Sequence, residues 1–380
     1  MKIVFLSNYF SHHQRPLSDA LAAYPDVEYC FVETTEMTEE RRALGWGTHD
    51  KPAYVYQLDD RIRQNLVHAD IVIAGSAPEA LVKRALKAGA VVFRYSERPL
   101  KDGCEPLKFF PRLLRWRWRN PGDKSIYLLS AGAFSAGDYA KFGLFRRKAF
   151  KWGYFPPCKQ YKKPDVLFSE KDAKELLWCG RYLDWKHPDD VISMATRLKA
   201  DGCNFTIKMI GTGPMEYQLK QMIETAGLQQ QIQLLGTMSP ERVRDHMEHA
   251  GIFLFTSDKR EGWGAVLNEA MNSGCAVVTS DAIGATPYLV KNGENGMAFP
   301  SKNVEDLSEI VKLLLQRPDK QRELGAAAYR TITELWNGEF AAMRLLQLSK
   351  AIMAGDKYPD LFADGPCSRA ENIQESWHTK

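Results

Sequence analysis

No apolar run in the 380 residues approaches the ~20 that a membrane-spanning helix needs. The longest, Gly251–Phe255 and Ala88–Phe93, stop far short. The apolar part of Met1–Ser7 is too short for a signal peptide and reads as a buried strand. Seven cysteines, an odd number, stand at 30, 104, 158, 179, 203, 275 and 367 and form no CxxC pair. That spacing argues against zinc and against a disulfide framework, and it fits a reducing cytosol. Repeats and low-complexity tracts are missing, and no Asp-x-Asp triplet offers paired carboxylates for a divalent metal. What remains is an ordinary globular composition, 44% apolar and 26% charged, long enough for two to three domains.

The net charge of +4 averages unlike halves. Residues 1–163 hold 27 Lys and Arg against 17 Asp and Glu, and 94–163 alone hold 17 against 5. The first half therefore calls for an anionic partner: membrane surface, nucleic acid or acidic substrate.

Short apolar runs alternate with helical patterns. Strands are expected at Ile3–Ser7, Val27–Val32, Tyr54–Leu58, Asp70–Ala74, Ala90–Tyr95 and Ile126–Ser130, with helices from Pro16 and over Pro78–Lys87. The proline-broken, basic stretch Phe155–Pro164 reads as a linker. A second series follows at Leu176–Cys179, Phe205–Ile210, Ile232–Leu235, Ile252–Phe255 and Cys275–Thr279, with helices near 188–200, 214–226, 240–249 and 264–273. Three more helices are expected near 303–315, 319–335 and 339–353, and 354–380 reads as a polar tail. The alternation predicts an α/β fold of two doubly wound parallel sheets facing each other across a cleft. In such sheets ligands lie outside the carboxyl ends of the strands, which here end in Gly or Ser (Gly180, Gly211, Gly236, Ser257, Ser280).

The densest chemistry lies in Thr256–Val278, where Glu261 and Glu269 flank a Gly262-Trp263-Gly264 turn that opens a helix. The two glycines let backbone approach a ligand, and the free N–H groups at the helix start suit a phosphate. Glu261 faces the crevice, and Glu269 is placed to accept from a ribose diol. A surface loop followed by an amphipathic helix with a solvated Glu269 is the plainer reading, and the glycines directly after a buried strand weigh against it.

This segment resembles the E-x7-E signature of retaining GT-B glycosyltransferases of family 4. Cys179-Gly-Arg-Tyr-Leu-Asp-Trp-Lys186 resembles the family's strand-ending G-R followed by Lys, and Ile210-Gly-Thr-Gly-Pro214 its I-G-x-G-P turn. Leu235-Gly-Thr-Met238 resembles the loop beside the nucleobase, and Gly284–Pro287 with Asn295-Gly296 the segment after the next strand. The likeness spans about residues 170–350. It implies two Rossmann-like domains, with 1–163 on the acceptor side, 164–338 binding a nucleotide sugar, and 339–380 returning to the first. It also implies that Arg181 and Lys186 stabilise the leaving diphosphate in place of a metal. By the same resemblance Glu261 binds donor-sugar hydroxyls, Glu269 the ribose and Met238 the base. Gly264, Ala265 and Val266 meet the diphosphate, with Gly262, Trp263, Gly211 and Gly213 lining the donor.

The first half is less legible. Ser7-Asn-Tyr-Phe-Ser-His-His-Gln14 resembles the opening of a bacterial surface-polysaccharide subgroup, with Asn8 in the crevice loop and Ser11–Gln14 where many relatives carry a glycine pair. His12 and His13 are candidates to bind an acceptor hydroxyl, act as base or touch the donor phosphate; the alternative is a satisfied pair at a helix start. Ser96-Glu97-Arg98-Pro99 stands where relatives show His-Asp, so Glu97 and Arg98 are the substitutes there. Residues 112–119 and 145–155 interleave bases with aromatics. That suits an anionic bilayer interface; single-stranded nucleic acid ranks lower for want of a binding module, and a solvated basic face is the plain alternative.

The expected protein is a hexosyltransferase with retention. It moves a hexose from a UDP-sugar, or less favourably a GDP-sugar, to a saccharide or lipid-linked glycan in bacterial surface polysaccharide assembly. It needs no metal or cofactor and works in the cytoplasm, peripheral to the inner face of the cytoplasmic membrane. A nucleotide-sugar epimerase of related fold and a catalytically silent nucleotide-sugar binder are the rivals.

Overall fold

The computed structural model describes residues 1–39, 50–103, 105–122, 124–373 and 377. Cys104, counted above, and the tail residues 374–376 and 378–380 lie outside them. The chain divides into two units, Met1–Pro157 with Leu335–Ile373, and Cys158–Glu334 with Gln374–Lys380.

The first unit is built on a seven-stranded, wholly parallel sheet. Its strands are β1 (Lys2–Ser7), β2 (Glu28–Glu33), β3 (Val55–Gln57), β4 (Ile71–Ala74), β5 (Val91–Ser96), β6 (Ile126–Ala131) and β7 (Ala149–Trp152), in the order β3-β2-β1-β4-β5-β6-β7. β4 and β6 are buried at every position, as strands covered by helices on both faces must be. Helices α1 (Arg15–Ala22), α2 (Asp60–Asn65), α3 (Glu79–Lys87), α4 (Pro106–Arg119) and α5 (Ser135–Ala140) make the connections. A core of Val4, Leu6, Val72, Val82, Leu86, Val92, Leu128 and Tyr139 fills the space beneath them.

The second unit repeats the plan with six parallel strands: β8 (Asp172–Cys179), β9 (Thr206–Ile210), β10 (Ile232–Gly236), β11 (Ala250–Phe255), β12 (Ala276–Ser280) and β13 (Met297–Phe299), ordered β10-β9-β8-β11-β12-β13. Helices α6 (Pro164–Ser169), α7 (Pro188–Ala200), α8 (Glu216–Thr225), α9 (Pro240–His249), α10 (Ala265–Asn272), α11 (Thr286–Leu289), α12 (Val304–Gln316) and α13 (Pro318–Glu334) flank it. In both sheets the strand order reverses once, between β1 and β4 and between β8 and β11. In open sheets of this order the ligand site lies at the reversal, outside the carboxyl ends of the strands.

Helix α14 (Gly338–Met353) follows and packs on α1. Gly338 permits the contact, since a Cβ there would lie 2.7 Å from Leu17 N. The stretch after α14 is not a free polar tail. Its backbone joins the outer edge of β7: Lys151 N–H donates to Ser368 O (2.8 Å), Cys367 N–H to Lys151 O (2.9 Å) and Ala370 N–H to Ala149 O (3.0 Å). The run has no helical or strand period because it covers a sheet edge that would otherwise expose unpaired backbone.

Two short edge strands, β7 and β13, and helices α2, α4, α5, α6 and α11 are structure beyond the sequence expectations. The bilayer role expected for the aromatics of 145–155 requires correction. Phe145, Phe150, Trp152 and Phe155 are all buried, at 8%, 0%, 0% and 2% exposure: Phe150 and Trp152 belong to sheet strand β7, and the flanking Phe145 and Phe155 rings pack on Tyr139 and Trp152. The aromatics of 112–119 divide: Trp116 packs against the core and Trp118 is 64% exposed. Among the described residues no helix is long and apolar enough to cross a membrane, and the described cysteines are all free.

Candidate active site

In the second unit three strand-end loops interlock through glycine. Gly180 N–H donates to Ile210 O (3.0 Å), Gly211 N–H to Gly236 O (2.8 Å), and Tyr182 N–H to Thr212 O (2.9 Å). A Cβ on Gly211 would fall 1.8 Å from Gly180 O, and one on Gly213 would fall 2.6 Å from Tyr182 O. Gly211 also holds φ +142°, outside the usual range of L side chains. These glycines let the ends of β8, β9 and β10 sit at backbone contact.

Lys186 is delivered by the short helical turn Asp184–Lys186 after β8. Its ammonium meets Glu261 Oε2 at 2.5 Å, and both side chains are largely buried, at 13% and 14% exposure. Ser257 Oγ donates to the same carboxylate oxygen at 3.1 Å. Thr256 Oγ1 donates to Lys186 O (2.7 Å) and Asp258 N–H to Trp185 O (2.9 Å), stitching the β8 and β11 loops together. The structure thus unites Lys186 and Glu261, 75 residues apart, at the strand-order reversal of the second sheet.

Arg181, one residue past Gly180, is exposed. Met238 is partly exposed in the loop between β10 and α9. Gly262 and Trp263 are buried, and the Trp263 indole donates to Asn268 Oδ1 at 2.9 Å. Gly284 N–H and Ala285 N–H donate to Glu261 O and Trp263 O, strapping the Gly-Trp-Gly turn from the far side. Gly264 caps α10 at φ +92°, where a Cβ would strike the Phe255 ring at 2.5 Å. The N–H groups of Ala265 and Val266, in the first turn, have no partner within the helix.

Glu269 sits on α10. Burial raises its carboxyl above the usual value, with the Arg244 charge opposing. Burial also pushes the Cys179 thiol up to about 12, the Glu269 charge adding to the effect and Lys186 opposing it. Glu269 therefore lies near the end of β8. Arg244, which the sequence did not single out, donates to Glu269 O (3.2 Å), Asn272 Oδ1 (2.9 Å) and Ser273 Oγ (3.2 Å), fixing the C-terminal half of α10.

In the first unit, Asn8 follows β1 and its carbonyl accepts from Thr35 N–H at 2.9 Å. His12 and His13 lie in the turn before α1, ring centroids 3.8 Å apart, and His13 stacks on Tyr154 at 6.3 Å. Burial and the adjacent His12 lower His13 to about 3, so it is neutral at physiological pH. Tyr154 also donates to Glu97 Oε1 at 2.6 Å and so links Glu97 to the histidines. Arg98 makes two bonds to the buried Asp138, at 3.1 and 3.2 Å, and its guanidinium lies over Phe134. The sequence offers Tyr154 only as one aromatic of the basic stretch 145–155, and Asp138 goes unnoticed because an Asp inside a helix carries no periodic signal.

A hollow of about 450 Å³ opens at the carboxyl ends of β2, β4 and β5. Thr34, Ser76, Ser96, Trp116 and Arg119 line it, and Arg94, paired with both Glu79 oxygens at 2.9 and 3.2 Å, forms part of its wall.

Two doubly wound units of this kind are the GT-B fold. The crystal structure of Anabaena Alr3699/HepE in complex with UDP and glucose superposes on the chain with a TM-score of 0.65 at 16% identity, covering 92% of this chain and 100% of that one. Residues 160–331 match the family described as Glycosyl transferases group 1. Two curated relatives extend the likeness. The amylovoran biosynthesis glycosyltransferase AmsK of Erwinia amylovora is 29% identical over 156 residues, 40% of this chain and 38% of that protein. The alpha-D-kanosaminyltransferase of Streptomyces kanamyceticus is 25% identical over 294 residues, 72% of this chain and 75% of that one. The chain spans only 17 to 38% of the length of the first five curated relatives it matches.

Proposed function

We propose that the protein is a retaining hexosyltransferase that moves a sugar from a nucleotide diphosphate, UDP in the first instance, to a saccharide or lipid-linked glycan in bacterial surface polysaccharide assembly. The observation that carries this reading is the Lys186–Glu261 pair at the strand-order reversal of a group 1 glycosyltransferase domain. A cation and a carboxylate held together there divide the donor between them. Lys186 and the exposed Arg181 face the diphosphate, whose negative charge grows as the glycosidic bond breaks, and Glu261 receives the sugar hydroxyls. The N–H groups of Ala265 and Val266 supply further donors to a phosphate oxygen, and Glu269 accepts from the ribose.

The largely buried Lys186 and the exposed Arg181 supply the charge that a divalent ion would otherwise supply, so the proposed transfer is metal-independent. The first unit takes the acceptor, with the hollow beside Trp116 and the His12–His13–Tyr154–Glu97 group as its contact surfaces. The setting is the cytoplasmic face of the inner membrane, where lipid-linked glycans grow.

A thermal-shift panel of UDP-, GDP- and ADP-sugars tests the reading. A ligand at ~100 times its Kd contributes about 2.7 kcal/mol of stability. A shift with a UDP-sugar is the expected result, and no shift with any of the three would overturn it.

A further inference from the structure

Helix α4, Pro106–Arg119, has two apolar faces where a surface helix needs one. Phe109, Leu113 and Trp116 pack onto the core of the first unit. Leu107, Phe110, Leu114 and Trp118 point the other way and are 92%, 64%, 56% and 64% exposed. At 3.6 residues per turn these four fall within roughly 80° of arc, a continuous stripe along three turns. They supply four of the chain's most exposed large apolar side chains. The helix contains five cations, Lys108, Arg112, Arg115, Arg117 and Arg119, and no acid. Lys83 of α3 places its ammonium over the Trp118 ring, and Arg84 and Lys87 stand on the same helix.

We infer that the outer face of α4 docks the protein onto an anionic bilayer surface, Leu107, Phe110, Leu114 and Trp118 entering the headgroup–acyl boundary while Lys83, Lys108, Arg115 and Arg117 meet lipid phosphates. The inference rests on the proposed use of a lipid-linked acceptor and names the surface that would meet it. Charge complementarity selects this occupant. Residues 94–163 carry 17 bases against 5 acids, so a second copy of the same face would be repelled, whereas an anionic leaflet attracts it. Long basic side chains flanking an apolar stripe, with Trp at its edge, are the division that an interface between hydrocarbon and water rewards. The inner face of the same helix gives Trp116 and Arg119 to the hollow at the carboxyl ends of β4 and β5. Docking through the outer face would set that hollow beside the membrane surface.

The test is co-sedimentation of the full chain with vesicles of phosphatidylcholine carrying about one-third phosphatidylglycerol, against phosphatidylcholine alone. Binding to the anionic vesicles, weakened at least tenfold in about 0.5 M salt, is expected. Replacing the stripe (Leu107→Ser, Phe110→Ser, Leu114→Ser, Trp118→Ser) should lower partitioning at least tenfold and leave the nucleotide-sugar thermal shift unchanged, because all four side chains are exposed. A second variant, Lys108→Gln with Arg115→Gln and Arg117→Gln, should lose the preference for anionic lipid. Equal partitioning of the stripe variant and the parent would overturn the docking surface. So would a parent that dimerises through the stripe and ignores vesicles. Failure here with an intact UDP-sugar shift leaves the transferase reading standing; loss of the shift alone strikes that reading.

Discussion

Lys186 and Glu261 show what a single residue contributes. Each neutralises the other inside a largely buried site, so neither desolvation cost goes uncompensated. On the proposed reading an arriving diphosphate would compete with the carboxylate for the ammonium and free Glu261 for the sugar. Lys186→Ala and Arg181→Ala should each lower kcat/KM by about 10²–10³-fold with an unchanged circular dichroism spectrum. Normal turnover in both would dispose of the diphosphate role. His13 offers a pH test with a defined sign. Its folded value, about 3, lies below the ordinary 6.5, so its contribution to stability is complete above pH 6.5 and is lost as the pH falls from there toward 3. His13→Gln should therefore flatten the acid limb of the Tm–pH profile over that window; a parallel profile would show that His13 is not held neutral.

The elements were unequally legible. Buried strands such as β1, β4 and β11 announce themselves, because a strand covered on both faces must be apolar throughout. β7 and β13, four and three residues long at sheet edges, have too little sequence for a period. Helix α4 is obscured by its composition: apolar on two opposite faces and basic between them, it shows no single stripe. Glycine decides two element contacts. Gly211→Ala should cost at least about 3 kcal/mol, since its Cβ meets a carbonyl oxygen that cannot retreat without parting the β8 and β9 loops. Gly338→Val would push α14 off α1 at a similar cost of about 3 kcal/mol. Thermal unfolding checks both, and a Tm within about 2 °C of the parent would contradict either.

At the scale of the whole molecule, the basic excess and the donor motifs occupy different units. Fourteen of the 17 cations of 94–163 lie in the first unit, and the proposed reading assigns them to something other than the nucleotide. If Arg181 and Lys186 replace a metal, a chelator should leave transfer within about twofold of its starting rate. Complete loss would mean that an ion is required. The sequence by itself determined the two parallel sheets and the donor-side motif, because both are local: an apolar run, a glycine at a strand end, a helix start a few residues on. It could not determine which long-range partners meet. That Lys186 pairs with Glu261, that Arg98 is tied to Asp138, that Trp152 is core and Trp118 is not, and that residues 367–370 cover β7 depend on chain segments tens to hundreds of residues apart. Those contacts exist only once the sheets have formed, and burial then sorts side chains of one composition into core, site and surface.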